Sequence, residues 1–158
     1  MAFKGREEAT EFEKATAELF HDVFKFKTKH VGPIGLTPDV LIESEDVGFV
    51  GIIDNKAYSK YSISNDHHNR MVHNYINGLG NYKGKKNLAF FSYIAGGFGI
   101  NIDSQIKSIV DETEICGSCI NVHNMIELVK RNEKRAYSHE DLKKIFSVNR
   151  EILLSDLC

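Results

Sequence analysis

The chain has 158 residues, 42 % hydrophobic and 27 % charged with only two prolines, which is the size and composition of one folded domain spanning positions 1–158 rather than of a disordered segment. No apolar run approaches the roughly eighteen residues of a membrane span and Met1 to Arg6 lacks a signal-peptide pattern, so a cytoplasmic protein without a membrane partner is expected. Three cysteines, an odd number, argue against a disulfide framework, and 20 Lys plus Arg against 22 Asp plus Glu, a net charge of −2, argue against a free-standing DNA binder, which carries a basic excess.

From Arg6 to about Phe24 the residues Ala9, Phe12, Thr16, Leu19, Phe20 and Val23 recur at three- and four-residue steps, the period of one helical face. Gly32-Pro33-Ile34-Gly35 breaks the chain. Pro38 to Glu43 reads as a strand entered through proline, Ser44 to Asp46 as a turn, and Gly48 to Asp54 as an apolar central strand. Ser64 to about Gly78 has Asn65 or Asp66 as N-cap and Met71, Val72, Tyr75 and Ile76 as an apolar stripe, which predicts a second helix. Gly80 to Lys86 is a basic loop suited to phosphate contact or simply to solvent. Asn87 to Ala95 reads as another buried strand and Gly96 to Gly99 as a turn. A helix over Asp103 to Asp111, a short strand over Ser118 to Val122, and two closing helices near Asn124 to Arg131 and His139 to Phe146 complete the chain, the last opened by acidic Ser138-His139-Glu140-Asp141. These elements predict a three-layer α/β domain: a mixed central β-sheet flanked by helices.

Two motifs invite a metal reading without completing one. Cys116-x-x-Cys119 would need two further zinc ligands, with His123 the nearby candidate, and buried cysteines beside a strand are the simpler expectation. His67, His68 and His73 approximate helical ligand spacing, but equally furnish a polar helix surface.

The strand ending at Asp54 carries the chemistry. Asp54 and Lys56, two apart, leave a strand on one face, whereas Asn55 points the other way. A short turn between the two acidic strands would set Asp39 beside Asp54. Two carboxylates and an adjacent ammonium form a hard-oxygen site suited to Mg²⁺, and such a site can activate water and offset the charge that develops during phosphodiester hydrolysis. Lys56 would position or deprotonate water or stabilise that charge. The bare spacing of Pro-Asp, fourteen residues and Asp-x-Lys is a weak pattern, and an ordinary Asp–Lys surface pair is the alternative. Charges ending an otherwise apolar strand favour the functional reading.

Ile53-Asp54-Asn55-Lys56-Ala57-Tyr58-Ser59, preceded by Pro38-Asp39, closely resembles the metal-binding core of FokI-type type IIS restriction endonucleases, of the PD-(D/E)xK nuclease superfamily. The likeness extends through the first helix, Lys29-His30-Val31-Gly32, Tyr61, Met71, Phe91-Ser92, Cys116-Gly117 and the closing helices. It implies a restriction-endonuclease-like fold with Asp39 and Asp54 as metal ligands, the Asn55 carbonyl as a backbone ligand, Lys56 as the catalytic lysine, and Glu13, ahead of Glu18, near the metal. The implied activity is Mg²⁺-dependent endonucleolytic hydrolysis of double-stranded DNA, with Mn²⁺ able to substitute. It also implies a recognition domain or subunit elsewhere, since nothing here resembles a helix-turn-helix or zinc finger, and a transient homodimer through the helix near Asn69, Arg70 and His73. The chain departs from its relatives at Val40, where they often have glycine, and in the loop containing Pro33. A non-catalytic DNA-binding or pairing subunit, or a structure-specific repair nuclease, are the alternative readings.

Overall fold

A computed structural model describes residues 5–30, 38–79 and 87–158, with side chains from Thr10 onward except that of residue 30. Helix α1 (Gly5–Asp22) leads into β1 (Lys27–His30), β2 (Val40–Ser44) and β3 (Phe49–Lys56). Helix α2 (Asn65–Asn69) runs on as a π-helix, Arg70–Ile76, before β4 (Leu88–Ala95), α3 (Ile102–Thr113), β5 (Cys116–Asn121), α4 (Val122–Lys134), α5 (His139–Ile145) and a 3₁₀ turn, Leu154–Leu157. The five strands lie in sequence order; β1, β2 and β3 are antiparallel neighbours, while β4 and β5 continue in parallel with β3. The mixed three-layer α/β architecture expected from the sequence is therefore the one observed.

Alternation along the strands divides the core into two layers. Phe49, Ile53, Phe90, Ile94 and Ile120 meet Phe20 of α1, Leu128 of α4 and Leu142 of α5, whereas Val50, Ile52, Phe91, Tyr93 and Cys119 meet Met71 and Tyr75 of the π-helix and Ile106 of α3. No helix among the described residues is long and apolar enough to cross a membrane.

Several expectations need correction. Strand β1 is absent from the sequence reading because Lys-Thr-Lys-His shows no apolar run; it is a short edge strand paired with β2 alone, where lysines discourage further pairing. Ser64, rather than Asn65 or Asp66, caps α2, its hydroxyl accepting from the His67 amide. Strand β5 begins at Cys116 and α4 at Val122, so Cys116 joins Cys119 within the edge strand rather than preceding it; Cys116, Cys119 and Cys158 are all free thiols. The Gly32–Gly35 break and the basic loop 80–86 lie outside the described residues.

Local geometry follows the residues. Gly48, at φ +83°, closes the β2–β3 turn where a side chain would be strained. Ser138 and Asp141 form a reciprocal capping box on α5. The edge of β5 is covered by the C-terminal segment: Asn149 exchanges bonds with Gly117, and the Ile152 amide donates to the Cys119 carbonyl. A second tie is His139, buried and stacked on Phe26 at 4.1 Å, whose Nδ1 meets Ser44 Oγ at 2.6 Å and whose Nε2 meets the Phe24 carbonyl at 2.8 Å. Because a carbonyl only accepts, Nε2 carries a proton, and Nδ1 shares its hydrogen bond with the Ser44 hydroxyl. One imidazole thus joins the end of β2, the turn after α1 and the start of α5.

Candidate active site

The register of β2 against β3 builds the acidic site. Val40 lies opposite Ile53, so one further antiparallel step sets Asp39 opposite Asp54. The Asp39 amide donates to Asp54 Oδ1 at 3.4 Å, and the Asn55 amide donates to Asp39 Oδ2 at 2.7 Å. Val40 fills a fully buried position at the start of β2.

Asp54 is 2 % exposed, and Lys56 emerges on its face with Nζ 2.8 Å from Asp54 Oδ2. The alternation anticipated for β3 is visible on its other face as well: Asn55 turns to α1, where its Nδ2 donates to Thr16 Oγ1 at 2.8 Å. Asn55 Oδ1 is buried without a hydrogen-bond partner among the described residues. Thr16 is one helical turn beyond Glu13, so this bond fixes the part of α1 that carries Glu13. Glu13 hydrogen-bonds the Asp39 side chain. Glu18 is exposed, so of the two glutamates proposed for this region the fold brings Glu13 to the carboxylates.

Burial pushes the Asp39 carboxyl far above the ordinary carboxylate range, helped by the charge of Asp54 and by the hydrogen bond and charge of Glu13, while the Asn55 amide opposes the rise. Buried, and beside two further acids with one ammonium to offset them, this carboxyl is biased toward its protonated form. A hard divalent cation would replace that proton, and the oxygen donors fit such an ion by type. Among the described residues no three His, Cys, Asp or Glu side chains stand already converged in coordinating positions, so binding an ion calls for loss of the Asp39 proton and small side-chain shifts.

The other metal candidates separate. His67 Nδ1 meets the Tyr61 hydroxyl at 2.8 Å, His68 Nε2 meets Glu112 at 3.0 Å, and His73 is exposed. Cys119 is fully buried in the sheet, the apolar role expected of it. Asn69, Arg70 and His73 are all exposed on α2 and its π-helical continuation, with Arg70 paired to Asp66 one turn earlier.

Sequence reasoning missed what surrounds Lys56. Tyr61, 2 % exposed, lies with its ring face toward Lys56 Nζ, 5.9 Å from the centroid, and is itself packed against Tyr58, Tyr93 and Phe98. Its position after a break in regular structure disguised it; the signal available was Tyr58 and Tyr61 following the Asp-x-Lys motif at a spacing of three.

Comparison with known proteins accords with this geometry. A family model of the FokI cleavage domain matches residues 1–153. The type II restriction enzyme StsI of Streptococcus sanguinis is 24 % identical over 149 residues, which is 87 % of this chain and 24 % of that enzyme. The chain thus spans about a quarter of the length of the curated relative it matches. A structure of restriction endonuclease FokI superposes with a TM-score of 0.81 at 19 % identity, over 94 % of this chain and 29 % of that one. A structure of FokI bound to DNA gives 0.78 at 21 % identity, over 94 % and 28 %. The match over nearly the whole sequence, on the same fold, makes the conclusion direct: the chain belongs to the FokI cleavage-domain family.

Proposed function

We propose that residues 1–158 form a single cleavage domain of a type II restriction endonuclease, a hydrolase that cuts DNA phosphodiester bonds with Mg²⁺. The observation that carries this reading is the convergence of Asp39, Asp54 and Lys56 at the shared end of β2 and β3 in a chain of this family. Asp39 and Asp54 would hold the ion, with the Asn55 carbonyl as a backbone ligand and Glu13 reaching the same group through Asp39. When bound, a divalent cation supplies a Lewis acid and a water of lowered pKa; Mn²⁺ is expected to substitute.

The chain's own groups do the positioning. Asp54 sets the ammonium of Lys56 on the face where both carboxyls lie, so Lys56 can orient the attacking water and offset negative charge gathering on the phosphate oxygens. Burial of this pair strengthens its field at the reacting group relative to the same pair in water. Asn55 holds α1 against the strand and keeps Glu13 over Asp39.

Double-stranded DNA is the proposed substrate, cut without base reading, and the net charge of −2 fits a domain brought to DNA by a recognition domain or subunit elsewhere. One such site cuts one strand, and transient pairing of two copies through the surface bearing Asn69, Arg70 and His73 would give a double-strand break. The test is plasmid cleavage in Mg²⁺ or Mn²⁺, by the chain alone and fused to a DNA-binding module, at several protein concentrations. Cleavage that disappears in Asp54→Ala and rises steeply with concentration supports the reading. An intact plasmid under all these conditions would favour a non-catalytic pairing module.

A further inference from the structure

The ammonium of Lys56 is one of the most enclosed cations of the described chain, with a side chain 15 % exposed, and Asp54 occupies only one side of it. Tyr61 forms another side. Its ring faces the ammonium at 5.9 Å from the centroid, and the negative face of an aromatic ring attracts an ammonium within about 6 Å.

Tyr61 is held in every direction that matters for this. Its amide donates to the Gly97 carbonyl at 2.8 Å and its carbonyl accepts from the Gly99 amide at 2.9 Å. Its ring is stacked on Tyr58 at 5.7 Å and packed against Tyr93 at 5.5 Å. The remaining freedom, tilt of the ring, is restrained at the hydroxyl by His67 Nδ1 at 2.8 Å, and His67 is itself anchored where its amide donates to the Ser64 cap. The hydroxyl thus engages a partly exposed histidine on another element. Gly97 is part of the fit, because a Cβ there would come within 2.6 Å of the Ser59 carbonyl oxygen, next to the bond that Gly97 accepts from Tyr61.

We propose that Tyr61, locked by His67, is a positioning residue that keeps the Lys56 ammonium on Asp54. This rests on the reading of Lys56 as the catalytic lysine, but its consequence for Lys56 can be measured without catalysis. Freed from the ring, the four-carbon stem of Lys56 gains rotamers, and its ammonium spends more time in solvent and less beside the carboxylates.

The experiment compares Tyr61→Phe, Tyr61→Leu, His67→Ala and His67→Gln in the full chain. Reductive methylation of each lysine is followed by mass spectrometry in chelator, with exposed Lys107 as the reference inside the same molecule. Plasmid nicking with Mg²⁺ is followed in parallel over a range of DNA concentrations. We expect Lys56 to react several-fold faster, relative to Lys107, in Tyr61→Leu, Tyr61→Phe and His67→Ala. The cleavage rate constant should fall about tenfold in Tyr61→Leu and by roughly threefold in the two variants that retain the ring, with half-saturation by DNA unchanged. His67→Gln, whose side-chain oxygen can accept from the Tyr61 hydroxyl, should restore both values toward wild type. Unchanged Lys56 reactivity in Tyr61→Phe and His67→Ala overturns the proposal, as does a loss confined to DNA half-saturation. If Tyr61→Leu does not fold, the milder variants decide. A wild-type chain that cuts nothing, both alone and fused to a DNA-binding module, refutes only the nuclease reading, while the methylation rates still settle whether Tyr61 and His67 hold Lys56.

Discussion

Replacing Asp39 by asparagine should stabilise the metal-free protein while weakening its hold on Mg²⁺. In the folded chain the Asp39 carboxyl is raised above its ordinary value of 3.8, first by burial, then by Asp54 and Glu13. Above that value the unfolded chain has released the proton that the native chain still holds. At this group the native state therefore binds more protons, and the contribution of Asp39 to stability falls as pH rises from about 4, at no more than about 1.4 kcal/mol per pH unit. Carried to pH 7 this sets a ceiling of about 4 kcal/mol. Water reaching the partly buried strand end and relaxation of Glu13 reduce it, and we expect Asp39→Asn to gain about 1–2 kcal/mol there. The amide is a near-isostere of the protonated acid: its oxygen can accept from the Asn55 amide and its NH₂ can donate to Glu13. Urea unfolding of both proteins between pH 5 and 8, in chelator and then in Mg²⁺, measures the effect. The gap should widen with pH in chelator and close or reverse in Mg²⁺, because ligand binding to the native state adds about 2.7 kcal/mol at a hundred times Kd. A variant no more stable than wild type at pH 8 in chelator, or a gap that narrows as pH rises, would refute the crowded-acid account.

Three further perturbations probe the fold that supports the site. His139→Leu removes the proton donor to the Phe24 carbonyl and the hydrogen-bond partner of the Ser44 hydroxyl, and should lower stability by about 2–4 kcal/mol in chemical denaturation; a loss below about 0.5 kcal/mol would show that this tie carries little. Thr16→Val takes the partner from the Asn55 amide, whose oxygen already has none among the described residues, so we expect about 1–2 kcal/mol of destabilisation and weaker Mg²⁺ binding by calorimetry; unaltered binding would detach α1 from the site. Gly117→Ala places a Cβ inside the contact surface of the Phe91 ring, and should lower the thermal midpoint by several degrees; a midpoint equal to wild type would mean that β5 shifts freely.

The sequence by itself determined the periodic elements, because burial of one face leaves a pattern: the three- and four-residue steps of α1, the apolar run of β3 and the stripe of Met71, Val72, Tyr75 and Ile76 are all where the structure buries them. It also made the Asp54–Lys56 face legible, since strand alternation is a local rule. Pairing is not local. That Asp39 meets Asp54 depends on the β2–β3 register, and that Glu13 rather than Glu18 joins them depends on how α1 lies across the sheet, fixed through Thr16 and Asn55. The edge strand β1, polar throughout, owes its existence to a neighbour's unpaired backbone, which no pattern in its four residues announces. His139 and Tyr61 show the same limit most plainly. Their partners stand on other elements, 95 positions away for His139 and Ser44, so only the folded chain could decide what each side chain holds in place.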